Sequence, residues 1–418
     1  MQLENPKYNF LANTSSMLMS GAFQFLIAFG SNLVLVRLLA PEEFGEFAYT
    51  LAIATVATVL LNFRIGDYVA RASALEITRN KQALANITAL QTVFVVFASS
   101  LALVYFGMFD AAGMLILISL LISPAVNLQM NLYERQYSYS AIAKIESVSN
   151  LASHSIAIGI ALLQGGAYAL YFRLVCLPVF IGIGLYLCGG ITKLNYNIPT
   201  RSDVKLLLSK SKWNWLDGTL EQLTDRLIIL GSKIVMSFED LGFFYQSRRL
   251  AAIPHQFLSP ATTRVFLRHS ADTPVKLQFI FLMKMVGLEL IALGSMFLLF
   301  FFFGEQLINL LFGLKWSILY DVVLALAGVF LFNSPYNTLK AHYISINRVR
   351  EFIVLARIPF ILILGASAFL FTFMLNDLTP LLKVSLSLSV SYFVATLILL
   401  GHSSYLALNL KDEWPKSE

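Results

Sequence analysis

The chain is a succession of long, unbroken apolar runs, and that most limits what it can fold into. The clearest is FLMKMVGLELIALGSMFLLFFFF, residues 281–303. As a helix, about 20 residues at 1.5 Å each cross the hydrocarbon core of a bilayer. The runs are continuous rather than alternating, which favours helices over a β-barrel. Twelve segments of this kind lie near 14–36, 43–70, 87–107, 111–131, 145–163, 166–188, 213–236, 241–261, 279–303, 318–341, 352–375 and 381–405. Only 13% of the residues are charged, against roughly a quarter in an ordinary globular protein, too few to cover a soluble surface. The expected fold is therefore an all-α integral membrane protein with about twelve transmembrane helices.

Three segments are weak. Those at 145–163, 213–236 and 241–261 carry several polar or charged residues. Such a segment is stable in a bilayer when its polar face meets a protein interior or a water-filled cavity.

Orientation follows from the basic residues. With both termini inside, nineteen of the thirty Lys and Arg fall on the cytoplasmic side, including Lys340. Four fall outside (Arg37, Lys233, Lys315 and Lys383) and seven within segments. This bias predicts a multi-pass protein with both termini cytoplasmic. It also accounts for the net charge of +6 without a nucleic-acid partner. The start, MQLENPKYNFLANTSS, lacks the pattern of a removable signal peptide. The loops are short, so no soluble domain is large enough for a catalytic site, and the chain is not expected to be an enzyme. There is no phosphate-binding P-loop and no Cys/His cluster with metal-site spacing, so neither cofactor nor metal is expected.

The two halves repeat. LLAPEEFGEF at 38–47 aligns with VMSFEDLGFF at 235–244: Glu42 and Glu43 match Glu239 and Asp240, and Gly45 matches Gly242. ISPAVNLQMNLY at 122–133 resembles NSPYNTLKAHYI at 333–344, with Ser123-Pro124 over Ser334-Pro335. Six segments per half is an even number, so both halves enter from the same side and the repeat is parallel, a transporter architecture with a cavity between the halves. The expected division is an N-terminal six-helix bundle at 1–200 and a C-terminal one at 201–418. In the repeated turn the acid pair is expected to cap the following helix, and the glycine to permit close packing.

An apolar first helix, then VRLLAPEEFGEFAY, then a second helix ending in GDYVARAS, resembles the polysaccharide transporter family, as does LLFGLKWSILYDVVLALAG at 310–328. Its members are the lipid-linked oligosaccharide flippases, including the O-antigen (Wzx-type) flippases, in the superfamily that also holds the multidrug and toxic-compound exporters. The resemblance spans nearly the whole chain. It implies two six-helix bundles in a V, with segments 1, 2, 7 and 8 lining a central cavity. It also implies a lipid pyrophosphate-linked glycan, such as an O-antigen repeat unit, moved across the bacterial inner membrane. Membrane lipids and polysaccharide assembly proteins are the partners it suggests.

Charges within segments point to where that cargo would bind, because intramembrane Arg is costly and seldom faces lipid. Arg64, Asp67 and Arg71 share a face of segment 2. Asn214, Asp217, Glu221 and Asp225 form a stripe on segment 7. Tyr245, Arg248, Arg249 and Gln256 give segment 8 a polar face. Segment 1 contributes Ser20 and Gln24. Arginine suits a pyrophosphate because its planar fork is always charged and binds in bidentate fashion. Arg64, Arg226, Arg248, Arg249 and Gln24 are accordingly the candidate substrate contacts. Asp67, Glu221 and Asp225 are candidates for coupling to H+ or Na+. Against this stands internal pairing: Arg64 with Asp67, and Glu221 and Asp225 with Arg226. Arg173, Lys284 and Arg357 are expected to snorkel to an interface, and His154 to be a packed histidine rather than a proton relay.

Two other functions fit a chain of this kind. One is a cation-coupled small-molecule exporter of the same superfamily. The other is a membrane-embedded polysaccharide polymerase or glycosyltransferase, which usually carries a larger outer loop than any here.

Overall fold

The computed structural model describes residues 10–62, 65–66, 69, 74–134, 139–194, 201–270 and 273–409. Among these the regular structure is helical, without strands. In chain order the helices are α1 (Phe10–Leu38), α2 (Pro41–Leu61), α3 (Ala74–Tyr105), α4 (Ala111–Glu134), α5 (Tyr139–Leu162), α6 (Tyr168–Leu187), α7 (Arg201–Val235) and α8 (Phe238–Ala251). They continue with α9 (Ile253–Ser270), α10 (Val275–Leu311), α11 (Leu319–Ala325), α12 (Ala327–Ser345), α13 (Val349–Phe352), α14 (Ile358–Met374) and α15 (Pro380–Asn409). By length and composition, eight described helical stretches qualify alone as membrane spans, and the bent pair of Leu314–Ala325 with Ala327–Ser345 makes a ninth. The stretches that fall short are α5, α7 and α8 with α9, which are the segments marked as weak by their sequence.

The chain divides into two compact units. The first comprises Met1–Glu43 and Tyr49–Trp215, and the second Phe44–Ala48 and Leu216–Glu418. The division falls inside α7, between Trp215 and Leu216.

In the first unit α5 packs on α1 and α6. The polar residues that weaken α5 as a span face α1. Glu146 accepts from Gln24 Nε2 (3.1 Å), Ser147 and Ser20 share a hydroxyl contact (3.0 Å), and His154 Nδ1 meets Ser31 Oγ at 2.7 Å. Spacings of seven and eight residues put Ser147 and Glu146 on the same helix face as His154. His154 is buried in this packing.

Two of the expected segments are broken in the second unit. Segment 241–261 is two helices that meet at Ala252, just before Pro254, which cannot donate to Leu250. Segment 318–341 breaks at Leu326, where the chain bends by 53°. One hydroxyl repairs that second break: Ser389 Oγ donates to Ala325 O (2.6 Å) and accepts from Gly328 N (3.1 Å). A side chain at Gly328 would collide with the backbone of Ser389, so the glycine lets α15 close on the break. A five-residue π turn, Ile353–Arg357, precedes Pro359. Proline there removes the bond to Leu355 O and crowds that carbonyl, and the wider turn relieves both.

Phe44–Ala48 of the first copy of the repeated turn, and the whole of the second copy, also belong to this unit. A Cβ at Gly45 would collide with Phe238 O and come within 2.9 Å of Gly242 N. The matching glycines therefore mark a backbone-to-backbone approach. Phe44 and Phe243 both pack edge-on against the buried Trp316, at 5.7 and 5.4 Å. Glu43 accepts from Ala40 N (2.6 Å), and in the second copy Ser237 Oγ accepts from Asp240 N (3.0 Å). These are end-of-helix hydrogen bonds.

Gly45→Val is expected to prevent that approach and to lower the yield of detergent-stable, monodisperse protein, at a cost of about 1–3 kcal/mol or more. Gly231→Ala, where a Cβ meets nothing within 4 Å, should be neutral or slightly stabilising. Ser389→Ala leaves two buried backbone groups at the break without their partner. It should cost about 1–3 kcal/mol per group, read as a lower melting temperature of the purified protein.

Candidate functional site

Helix α7 carries its acids at positions 217, 221 and 225, four residues apart and so on one face. Opposite them, within the second unit, stand three basic side chains. Arg357 Nε donates to Asp217 Oδ1 (3.0 Å) and its Nη2 to Glu221 Oε2 (2.9 Å). Lys340 Nζ bridges the same two acids, 2.8 Å from Glu221 Oε2. Arg248 Nη2 donates to Asp225 Oδ1 (2.8 Å). The first two acids and two bases form a closed four-membered network. It is driest at the Arg357–Asp217 pair, whose side chains are 6% and 4% exposed.

Two expectations from the sequence are corrected here. Arg357 does not snorkel to an interface. The π turn carries it inward, where it lies over the rings of Tyr336 and Phe352 (5.5 and 5.6 Å). Lys340 is not a loop residue. It sits inside α12 and neutralises α7. The pairing anticipated for Arg226 is made by other bases: Glu221 pairs with Lys340 and Arg357, and Asp225 with Arg248.

Beyond the network the second unit holds a pocket of about 320 Å³. Its polar lining brings together Glu221, Asp225 and Arg226 of α7 with Arg248 and Arg249 of α8. Asn333 and Asn337 of α12 and Tyr392 of α15 also line it, as do Tyr245, His255 and Gln256. The three arginines differ. Arg248 is engaged by Asp225 and lies over Phe244 (5.7 Å). Arg249 lies over Tyr245 (5.8 Å). Arg226 Nε is buried and makes no hydrogen bond. His255 Nδ1 is likewise without a partner. Asn337 Nδ2 donates to Asn333 Oδ1 (3.0 Å), which leaves the Asn337 amide oxygen as an acceptor.

A larger cavity, about 550 Å³, lies among α7, α14 and α15. Apart from Lys383, Thr224, Ser232 and Thr372 its lining is apolar or glycine. It lacks the convergent polar groups that fix a ligand's orientation, so the smaller, charged pocket is the candidate site.

Five of the eight residues singled out from the sequence, Glu221, Asp225, Arg226, Arg248 and Arg249, thus line one pocket. Gln24 does not. It belongs to the first unit, bonded to Ser20 (3.0 Å) and Glu146 and receiving Asn150 Nδ2 (3.4 Å). Arg64 and Asp67 lie outside the described residues. The sequence reading missed Asn333, Asn337 and Lys340, although their spacing of four and three residues in NSPYNTLKAH is that of one helix face. Among the described residues no cluster of His, Cys, Asp and Glu fits a metal ion.

The whole fold resembles solved transporters. It matches a lipid II flippase, MurJ, in an inward closed conformation, with a TM-score of 0.67 and 13% identity, over 96% of this chain and 91% of that one. It matches an inward-facing multidrug resistance MATE family transporter of the MOP superfamily with a TM-score of 0.57 and 14% identity, over 95% and 98%. A MOP superfamily transporter from Pyrococcus furiosus, described as having a binding pocket of reversed polarity, gives 0.55 and 14% over 96% and 94%. At these identities the likeness is one of fold. Curated proteins give no sequence match. The family model described as polysaccharide biosynthesis protein matches residues 34–321, more than half of the sequence, and this multi-pass membrane chain belongs to that family.

Proposed function

We propose that the protein is a flippase that moves a polyprenyl-pyrophosphate-linked oligosaccharide, an O-antigen or other surface polysaccharide repeat unit, across the bacterial inner membrane by alternating access. The observation that carries this reading is the pocket in which Arg226, Arg248 and Arg249 converge beside amide and phenol groups. A pyrophosphate needs charge-assisted donors in a fork, and a glycan needs amide and hydroxyl partners. Arg226, whose Nε has no internal hydrogen bond, is the donor set most available to a phosphate. Arg248 would reach it by exchanging Asp225 for the ligand. Membership in a polysaccharide biosynthesis family and the fold shared with a lipid II flippase support a lipid-linked glycan as cargo. The distribution of basic residues supports a cytoplasmic side for both termini.

The same pocket contains Glu221 and Asp225, and the fold is shared with multidrug transporters. A cation-coupled exporter of small molecules is therefore the second reading. It places the cargo against those carboxylates instead of the arginines.

Arg226→Gln together with Arg248→Gln is expected to reduce surface glycan display at least roughly tenfold, since each charge-assisted bond contributes about 1.5–3 kcal/mol. Protein levels should stay normal and lipid-linked repeat units should accumulate on the cytoplasmic leaflet. Full display in the double variant sinks the arginine assignment, and loss of drug resistance with display intact supports the exporter. Arg357→Gln should behave differently. It leaves Asp217 and Glu221 sharing Lys340, with one negative charge uncompensated, and should cost about 3–5 kcal/mol, depleting the protein itself. Adding Asp217→Asn to that variant should restore part of the lost level, the sign of a coupled pair.

A further inference from the structure

Among the described residues of the second unit, one buried acid has no basic partner. Glu289 of α10 is 2% exposed. Its Oε1 accepts from Thr338 Oγ1 at 2.7 Å, and Thr338 Oγ1 in turn lies 3.2 Å from Thr262 Oγ1. Its Oε2 makes no hydrogen bond. Ser334 Oγ, beside the same carboxyl, is fully buried and also lacks a partner. One turn beyond Thr338 on the same face of α12 is His342, fully buried, with neither ring nitrogen bonded. Its ring rests edge-on against Phe266 and Tyr343, both at 5.9 Å. Three residues further, Ser345 donates to Gln278 Oε1 (3.2 Å). Ser334, Thr338, His342 and Ser345 thus form a stripe about 16 Å long at the helical rise. It runs from the end of α12 to the unbonded carboxylate oxygen.

Among the described residues no charged side chain is paired with Glu289. The groups around it are the hydroxyls of Thr262, Thr338 and Ser334. On the helices packed against α10, His269 stacks on Phe281, and His402 is bonded to Tyr343. Lys383 is bonded to Thr372 O, and Arg264 and Arg268 are exposed. An ionised carboxylate in such surroundings is uncompensated and strongly disfavoured. The other acids buried in this unit meet the same difficulty with Lys340 or Arg357. Glu289 has only a proton to do it with. Glu221 and Asp225, which the sequence reading considered for ion coupling, are already neutralised by bases and are poorer proton carriers.

We propose that Glu289, held by Thr338 and supplied along the stripe through His342, is a proton-binding site of this protein. The carboxylate takes one proton at Oε2 and the neutral acid then donates to Ser334 Oγ. Release returns the proton by way of the imidazole. Loading and unloading on opposite sides of the membrane would make this proton the driving ion for transport. The site shares no residue with the arginine pocket, so the proposal stands or falls apart from the identity of the cargo.

The test is infrared difference spectroscopy on the full chain in lipid vesicles, in sodium-free and sodium-containing buffer. A protonated-carboxyl C=O band is expected that disappears reversibly as pH is raised and shifts in D2O. The band should be lost in Glu289→Gln and kept in Asp225→Asn. In His342→Asn it should persist but respond at least roughly tenfold more slowly to a pH jump. A wild-type band that ignores both pH and D2O while the protein stays folded overturns the proposal, leaving a structural neutral acid. So does a band that survives Glu289→Gln, or one abolished by sodium at constant pH. The wild-type titration decides even if Glu289→Gln fails to fold.

Discussion

Charge inside a low-dielectric core must be neutralised where it stands, and the second unit is organised around that requirement. Asp217, Glu221, Lys340 and Arg357 come from three separate stretches of chain. The driest of them, Asp217 and Arg357, could not remain buried alone, since an unpaired buried ion costs several kcal/mol. Their pairing holds the polar helix α7 against α12 and the π turn. It thereby allows a segment too polar to qualify as a span to lie among more apolar helices. The pocket follows from this arrangement, because the next acid along α7, Asp225, draws Arg248 from α8 and sets the pocket's charged edge.

The first unit solves a milder form of the same problem with neutral groups. In α5 the polar residues Ser147, Asn150 and His154 find Ser20, Gln24 and Ser31 on α1, and Glu146 takes a hydrogen bond from Gln24. Burial of hydroxyl and amide groups costs far less than burial of ions, so hydrogen bonds across one helix pair suffice. The two units thus use weak helices in different ways. One uses them as a hydrogen-bonded seam, and the other as the frame of a charged pocket.

How much of this could be read from the sequence depends on the range of each interaction. Helix positions were legible because hydrophobicity is written residue by residue, and the weakness of α5, α7 and α8–α9 showed in the same way. The stripe of Asp217, Glu221 and Asp225 was legible because a helix face recurs every three to four residues. The partners of that stripe were not. Lys340 and Arg357 lie 119 and 136 residues from Glu221, and no local rule connects them. Counting basic residues by side of the membrane sent Lys340 to a loop, because such counting cannot tell a cation near a segment's end from one turned inward. Arg357 was assigned to an interface for the same reason, although Pro359 two residues later is a local sign of an irregular turn. The breaks at Ala252 and Leu326 escaped a hydropathy reading because apolar character continues across them. Only the pairing of Ala325 O and Gly328 N with Ser389 shows how the second is sustained.

The repeated turn shows how architecture and chemistry divide the work. Its acids, Glu43 and Asp240, are committed to local hydrogen bonds with Ala40 N and Ser237 Oγ at helix starts. Its glycines allow Gly45 to reach the backbone of Phe238 and Gly242. Among the buried polar atoms without a hydrogen bond are Arg226 Nε and His255 Nδ1 in the pocket, and Glu289 Oε2 and both nitrogens of His342 along the stripe. Unsatisfied polar atoms are expensive wherever water is excluded. Those of the pocket stand among cations and that of Glu289 on a single acid, which is why the first were read as suiting an anionic cargo and the second a proton.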